Sequence, residues 1–171
     1  MEFRLQRCLL RPWRIGDELS LEKHANNRKI WINVRDHFPH PYTKGDAMRW
    51  VQHASTSLSE TVFAITIDGN AVGSIGLVAK DDVYRKSMEI GYWLGEEFWG
   101  RGIVTEAVGV VSEYGFDRFD IVRLYADVFE WNNASVRVLE KNGYTFEARL
   151  KKAVIKDGMI ADALMYAKLK Y

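Results

Sequence analysis

The sequence predicts an α+β fold, a central mixed and twisted sheet of about seven strands flanked by about four helices. Three observations carry the prediction. Apolar alternation and short apolar runs mark strands near both ends and in the middle of the chain, with helical periodicity between them. Asp68-Gly69 and Asp157-Gly158 each lie between two such strands, a hairpin signal and so a sign of antiparallel neighbours. Met88 to Leu94 runs into Trp99-Gly100-Arg101-Gly102, then into a helical pattern, then into a further strand from Val122, which is a parallel crossover.

Each element has a local reason. Phe3 to Arg11 alternates and reads as a strand, stopped by Pro12. Asp17 reads as the cap of a first helix through Leu19, Leu21 and Ala25. Asn26 to Tyr42 reads as an irregular loop rich in aromatics, with Trp31, Phe38, Pro39, Pro41 and Tyr42. Thr43 caps a second helix, with Asp46 where a capping box carries Glu or Gln. Thr61 to Ile67 and Ala71 to Ala79 form a hairpin, and Lys80 to Lys86 a charged loop. The long helix, Ile103 to Phe119, turns Val104, Ala107, Val108 and Val111 to one face. Val122 to Phe129 is a strand, and Asn132 opens a helix that Asn142-Gly143 closes. Tyr144 to Lys156 and Met159 to Leu169 are the closing hairpin. No repeat, linker or low-complexity stretch divides the chain, so residues 1–171 read as one domain.

Composition narrows the function classes. Hydrophobic residues at 47% and charged residues at 27% are those of a globular domain. A net charge of +1 gives no electrostatic case for nucleic acid or an anionic membrane. No apolar run approaches a membrane span, and Arg4 and Arg7 interrupt the first ten residues, unlike a secretory signal. The single cysteine, Cys8, reads as a structural thiol and fits a reducing cytoplasm. His37 and His40 lack further ligands at metal-site spacing, so no metal is expected. Gly73-Ser74-Ile75-Gly76 is not a nucleophile elbow.

The chemistry concentrates at the turn. Gly100 and Gly102 flank Arg101 between a strand and a helix N-terminus, where bare N–H groups and the helix dipole suit an anion. The third glycine of a dinucleotide fingerprint would fall at Thr105, and no Gly-Lys-Ser/Thr triplet occurs. Local pattern alone leaves anion site and ordinary turn open. Glu89 stands in an otherwise apolar strand, where a carboxylate has either a purpose or a partner, a neighbouring Arg or Lys, for instance Arg85. Burial would raise its pKa toward that of a useful base. Arg137 and Lys141 are neighbours one helical turn apart.

Five stretches in order resemble the GNAT superfamily of acetyl-CoA-dependent N-acetyltransferases, closest to the branch of ribosomal-protein N-terminal alanine and serine acetyltransferases. They are Leu9-Leu10-Arg11-Pro12-Trp13 with Asp17, Pro41-Tyr42-Thr43, Glu89 to Leu94 with Trp99 to Ala107, Asn132 to Tyr144, and Asp157-Gly158 with Asp162. The resemblance implies that acetyl-CoA is held by Tyr92, Trp93, Leu94, Trp99, Gly100, Arg101, Gly102, Ile103, Val104 and Thr105, with Asn132 on the pantetheine arm and Arg137 and Lys141 near the nucleotide phosphates. Backbone N–H groups around Trp93 and Leu94 would bind the oxyanion. Glu89 matches the family's catalytic glutamate. Leu139 stands where many members carry a tyrosine acid, so Ser135 or water must protonate the thiolate.

The function expected is transfer of an acetyl group to a primary amine, a protein N-terminus or a small molecule, by direct attack. The protein would be a monomer or a homodimer, with no nucleic acid or membrane partner. A non-catalytic acyl-CoA sensor would keep the glycines without needing Glu89. A protein-interaction module would use the aromatic loop from Trp31 to Tyr42.

Overall fold

The computed structural model describes residues 1–56 and 60–171. Its strands are β1 (Phe3–Arg4), β2 (Leu9–Arg11), β3 (Val62–Ile67), β4 (Asn70–Ala79), β5 (Ser87–Leu94), β6 (Arg123–Phe129), β7 (Thr145–Lys156) and β8 (Met159–Leu169). Its helices are α1 (Glu18–Ala25), α2 (Arg28–Trp31), α3 (Lys44–Thr56), α4 (Ile103–Arg118) and α5 (Asn133–Lys141). Short 3-10 turns lie at Asp82–Tyr84 and Glu96–Phe98. The strands form one mixed sheet in the order β1-β2-β3-β4-β5-β6-β8-β7.

Both additions to the expected count have local causes. The alternation from Phe3 to Arg11 is not one strand. The chain reverses at residues 5–8, Leu5 N donating to Cys8 O at 2.9 Å, and pairs Phe3 with Leu10 and Arg4 with Leu9. The expected loop Asn26 to Tyr42 contains α2, capped by Asn27, whose side chain accepts from Lys29 N at 2.8 Å.

The chain packs as two units, Met1–Gly76 with Tyr92–Ala107, and Leu77–Gly91 with Val108–Tyr171. In the first, α1 and α3 bury Leu21, Ala25, Ala47 and Val51 with Trp13 and Tyr42. Thr43 and Asp46 close the expected capping box at α3, Asp46 N reaching Thr43 Oγ1 at 3.2 Å and Thr43 N reaching Asp46 Oδ2 at 2.8 Å. Asp17 does not act as expected. Its carboxylate makes no side-chain cap to α1 and instead takes both arms of the buried Arg11 guanidinium, at 2.8 and 2.7 Å, and Arg14 N at 2.9 Å. A buried guanidinium needs a counter-charge more than a helix end needs a cap.

In the second unit, β5 and β6 pair in parallel over Ser87–Arg123, Met88–Leu124 and Glu89–Tyr125, where the register ends. β6 pairs antiparallel with β8, and β8 with β7. Val108, Val111 and Leu124 are fully buried. A side chain at Gly115 would meet Leu77 Cδ1 at 2.9 Å, so glycine is what lets α4 lie this close to the sheet. The hairpin turn at Asp157 and Gly158 has φ of 51° and 76°, as the two left-handed positions of its turn type require. Lys156 ends β7 beside this turn. It is 1% exposed, because it sits where β7 closes onto β8.

Candidate functional site

The first unit carries the strand end and the glycine turn. β5 ends at Leu94, whose carbonyl accepts the Trp99 indole N–H at 2.7 Å, while Gly95 N donates to Val72 O at 2.7 Å. Trp99 therefore pins the loop to the strand, although its ring is exposed. Trp99 N and Phe98 N close the 3-10 turn on Glu96 O and Gly95 O. Gly100 and Gly102 then take φ of 74° and 76°, which a side chain would strain. Nothing lies within 4 Å of where a Cβ on Gly100 would sit, so the space over the turn is open. α4 begins at Ile103, which is buried, with Val104 and Thr105 half-buried behind it. The N-terminus of a long helix thus starts directly beyond two bare glycines, a fit for a phosphate group. Arg101 does not extend over that space. Its guanidinium donates to Glu97 O at 2.7 Å and lies 5.4 Å over the Phe98 ring.

Trp93, half-buried, packs its ring at 5.5 Å, edge to face, against Phe38 of the aromatic loop. Phe38 also meets Tyr42 at 4.9 Å, and Trp31 meets His40 at 5.6 Å. The loop is tied to the turn by Glu96, which accepts from Asn27 Nδ2 at 2.8 Å and pairs with Lys29. Lys29 first, then Asn27, hold the Glu96 carboxyl below its ordinary range. The aromatic loop is thus built onto the strand that carries Trp93 and Tyr92.

The second unit carries Glu89. It is 8% exposed, and its Oε2 accepts from Lys80 Nζ at 2.9 Å. The cation expected at Arg85 is Lys80, since Arg85 bonds Asp82 O at 2.9 Å. Lys80 also lies 5.5 Å over the ring of Tyr125, the register partner of Glu89. Tyr125 first, and Glu89 second, raise the Lys80 pKa, so the ammonium form is secure. Sequence reading missed Lys80 because nothing local links it to Glu89.

Asn132 caps α5 as expected, its Oδ1 accepting from Ser135 N at 3.2 Å. Ser135 is half-buried in the first turn, and Arg137 and Lys141 are exposed. Leu139 is fully buried, a core residue. Tyr144 donates to or accepts from Ser112 Oγ at 2.8 Å inside the core, and burial pushes its pKa up to about 12. Among the described residues no cluster of three His, Cys, Asp or Glu could hold a metal, and no helix is long and apolar enough to cross a membrane.

Residues 7–145 match the acetyltransferase (GNAT) domain model, and the chain belongs to that family. It is 35% identical over 103 residues to YdaF of Bacillus subtilis (strain 168), whose naming as a ribosomal N-acetyltransferase is provisional; the match covers 60% of this chain and 56% of YdaF. It is 27% identical over 106 residues to the spermidine N(1)-acetyltransferase of Escherichia coli (strain K12), covering 62% of this chain and 56% of that one. The matches thus span just over half the length of these relatives. The fold is similar to that of RimL, a ribosomal L7/L12 alpha-N-protein acetyltransferase solved with coenzyme A, with a TM-score of 0.84 at 22% identity over 99% of this chain and 98% of that one. The family read from the five ordered stretches is the family found.

Proposed function

We propose that the protein is an acetyl-CoA-dependent N-acetyltransferase that acts as one domain in the cytoplasm and acetylates the α-amine of a protein N-terminus. The observation that carries the reading is the strand, glycine turn and helix from Leu94 to Thr105, open above Gly100, in a chain of the GNAT family. The name of the RimL structure and the provisional name of YdaF support a ribosomal-protein acceptor.

The diphosphate of acetyl-CoA would sit on the N–H groups from Gly100 to Thr105, and its pantetheine arm would run along β5, Tyr92 to Leu94. An ammonium has no lone pair, so the acceptor must lose a proton before it attacks the thioester. Glu89 takes that proton, directly or through water, and Lys80 holds its carboxylate in place. Backbone N–H groups near Trp93 and Leu94 steady the oxyanion. Leu139 cannot protonate the departing thiolate, so Ser135 or water does. Phe38 and Trp31 line the acceptor side, which suits a peptide chain.

The test is an acceptor screen read by mass spectrometry, with acetyl-CoA and peptides beginning in Ser or Ala, the same peptides with blocked N-termini, and spermidine. Acetylation of the free peptides alone is expected. Acetylation of spermidine alone would overturn the acceptor class. Binding of acetyl-CoA without transfer to any amine would favour the non-catalytic reading.

A further inference from the structure

The turn's own arginine, Arg101, is committed to Glu97 O and the Phe98 ring. The guanidinium that stands beside Gly102 comes from elsewhere. Arg7 Nε and Cζ lie 3.7 and 3.9 Å from where a Cβ on Gly102 would sit. Arg7 belongs to the β1–β2 reversal, and that reversal is fastened to the first turn of α4. Gln6 N donates to Glu106 Oε1 at 2.7 Å, and Arg7 Nη1 lies 3.7 Å from Glu106 Oε2 and 3.2 Å from Gln6 Oε1.

These contacts use one nitrogen of Arg7. Its Nε and Nη2 make no hydrogen bond to protein among the described residues, and its side chain is 46% exposed. The contact to Glu106 is long for a hydrogen bond, and Glu106 Oε2 is buried without a hydrogen-bond partner. A guanidinium in this position is steered rather than spent. Its planar fork matches a phosphate with two parallel N–H groups.

We propose that Arg7 binds the diphosphate of acetyl-CoA, clamping from the β1–β2 reversal a group that the Gly100–Thr105 backbone holds from below, with Glu106 as the residue that positions it. This rests on the cofactor reading above. The cradle then has three parts, namely bare glycines that admit the phosphate, a helix end that receives it and a cation that covers it.

Calorimetric titration of CoA and of 3′-dephospho-CoA, which keeps the diphosphate, tests the assignment. The proteins are the wild type, Arg7→Ala and Arg7→Lys, each at several salt concentrations. Arg7→Ala is expected to weaken both ligands about tenfold, the scale of one lost charge-assisted contact, and to reduce the salt dependence of binding. Arg7→Lys should recover part of the loss. Unchanged affinity and salt dependence in Arg7→Ala would reduce Arg7 to a packing residue and overturn the proposal. A loss for CoA but not for dephospho-CoA would move Arg7 to the 3′-phosphate and overturn the diphosphate assignment. A wild type that binds neither ligand would overturn the cofactor reading itself, which is a separate result.

Discussion

Lys80 Nζ donates to Glu89 Oε2 at 2.9 Å, from side chains only 29% and 11% exposed. The pair gives Glu89 a fixed direction as well as a counter-charge. A proton acceptor must lie within hydrogen-bond reach of the proton it takes, and an anchored carboxylate keeps that geometry. Glu89→Gln should lower kcat/KM for amine acetylation about 10²- to 10⁴-fold, while acetyl-CoA affinity by calorimetry stays at the wild-type value. Lys80→Met should lower kcat with little change in KM for acetyl-CoA, and Lys80→Arg should restore part of it. Full activity in Glu89→Gln would remove the residue from the mechanism and leave the ion pair as a structural contact.

Gly73 is fixed by the end of β5. A Cβ there would lie 2.5 Å from Trp93 O and 3.1 Å from Leu94 Cα, both backbone atoms that cannot swing aside. Gly73→Ala should therefore destabilise the protein by about 1–3 kcal/mol and also disturb the strand end proposed to bind the thioester. Denaturant unfolding reads the first effect, and the KM for acetyl-CoA the second.

The Arg11–Asp17 pair is nearly closed off from water, with side chains 5% and 8% exposed. Removing one partner leaves the other charged and buried. Asp17→Asn should cost about 3–5 kcal/mol in equilibrium unfolding. Replacing both residues with apolar ones should cost less than the single change, because the stranded charge is gone.

His24 sets an acid limit on stability. Its side chain is 7% exposed, faces the Phe98 ring at 5.5 Å and lies 3.5 Å from Glu97 Oε1 through Nδ1. Burial lowers its pKa from 6.5, with Lys23 acting the same way and Glu97 opposing them. The unfolded chain takes up a proton that the fold refuses. The contribution is therefore complete above pH 6.5 and is lost as pH falls below it. The thermal midpoint should decline through that range, and His24→Gln should flatten this part of the curve.

Cys8 behaves in the opposite sense. Burial first, then Glu106, push its thiol up to about 11 from 9.0. Its contribution is complete below pH 9 and falls as pH climbs toward 11. A thiol reagent at pH 8 should react slowly with the folded protein and promptly once denaturant is added.

What could be read in the sequence was what a few adjacent residues decide. Gly100 and Gly102 at positive φ, the Asn132 cap, and Asp157-Gly158 each owe their geometry to local backbone demands. The β1–β2 reversal was hidden because a hairpin alternates as a strand does, and residues 5–8 contain no glycine or proline to mark a turn. Asp17 looked like a cap until Arg11, six residues away, claimed it. The anchor of Glu89 was hidden for the same reason. Lys80 and Glu89 sit on either side of the connection from β4 to β5, and only the folded connection brings them within a hydrogen bond. Arg7 lies beside Gly102 across about half the chain, a distance that no spacing rule spans.

The thermal unfolding midpoint with acetyl-CoA, CoA, NAD or ATP tests the central claim, that the turn from Leu94 to Thr105 cradles coenzyme A. A ligand at 100 times its dissociation constant stabilises a fold by about 2.7 kcal/mol, a rise of about 5–11 °C in a chain of this length. The account predicts that rise with acetyl-CoA and CoA and none with NAD or ATP. No rise with either thiol cofactor, in a protein that unfolds cooperatively, would contradict it and leave the two glycines as the geometry of a strand-to-helix turn.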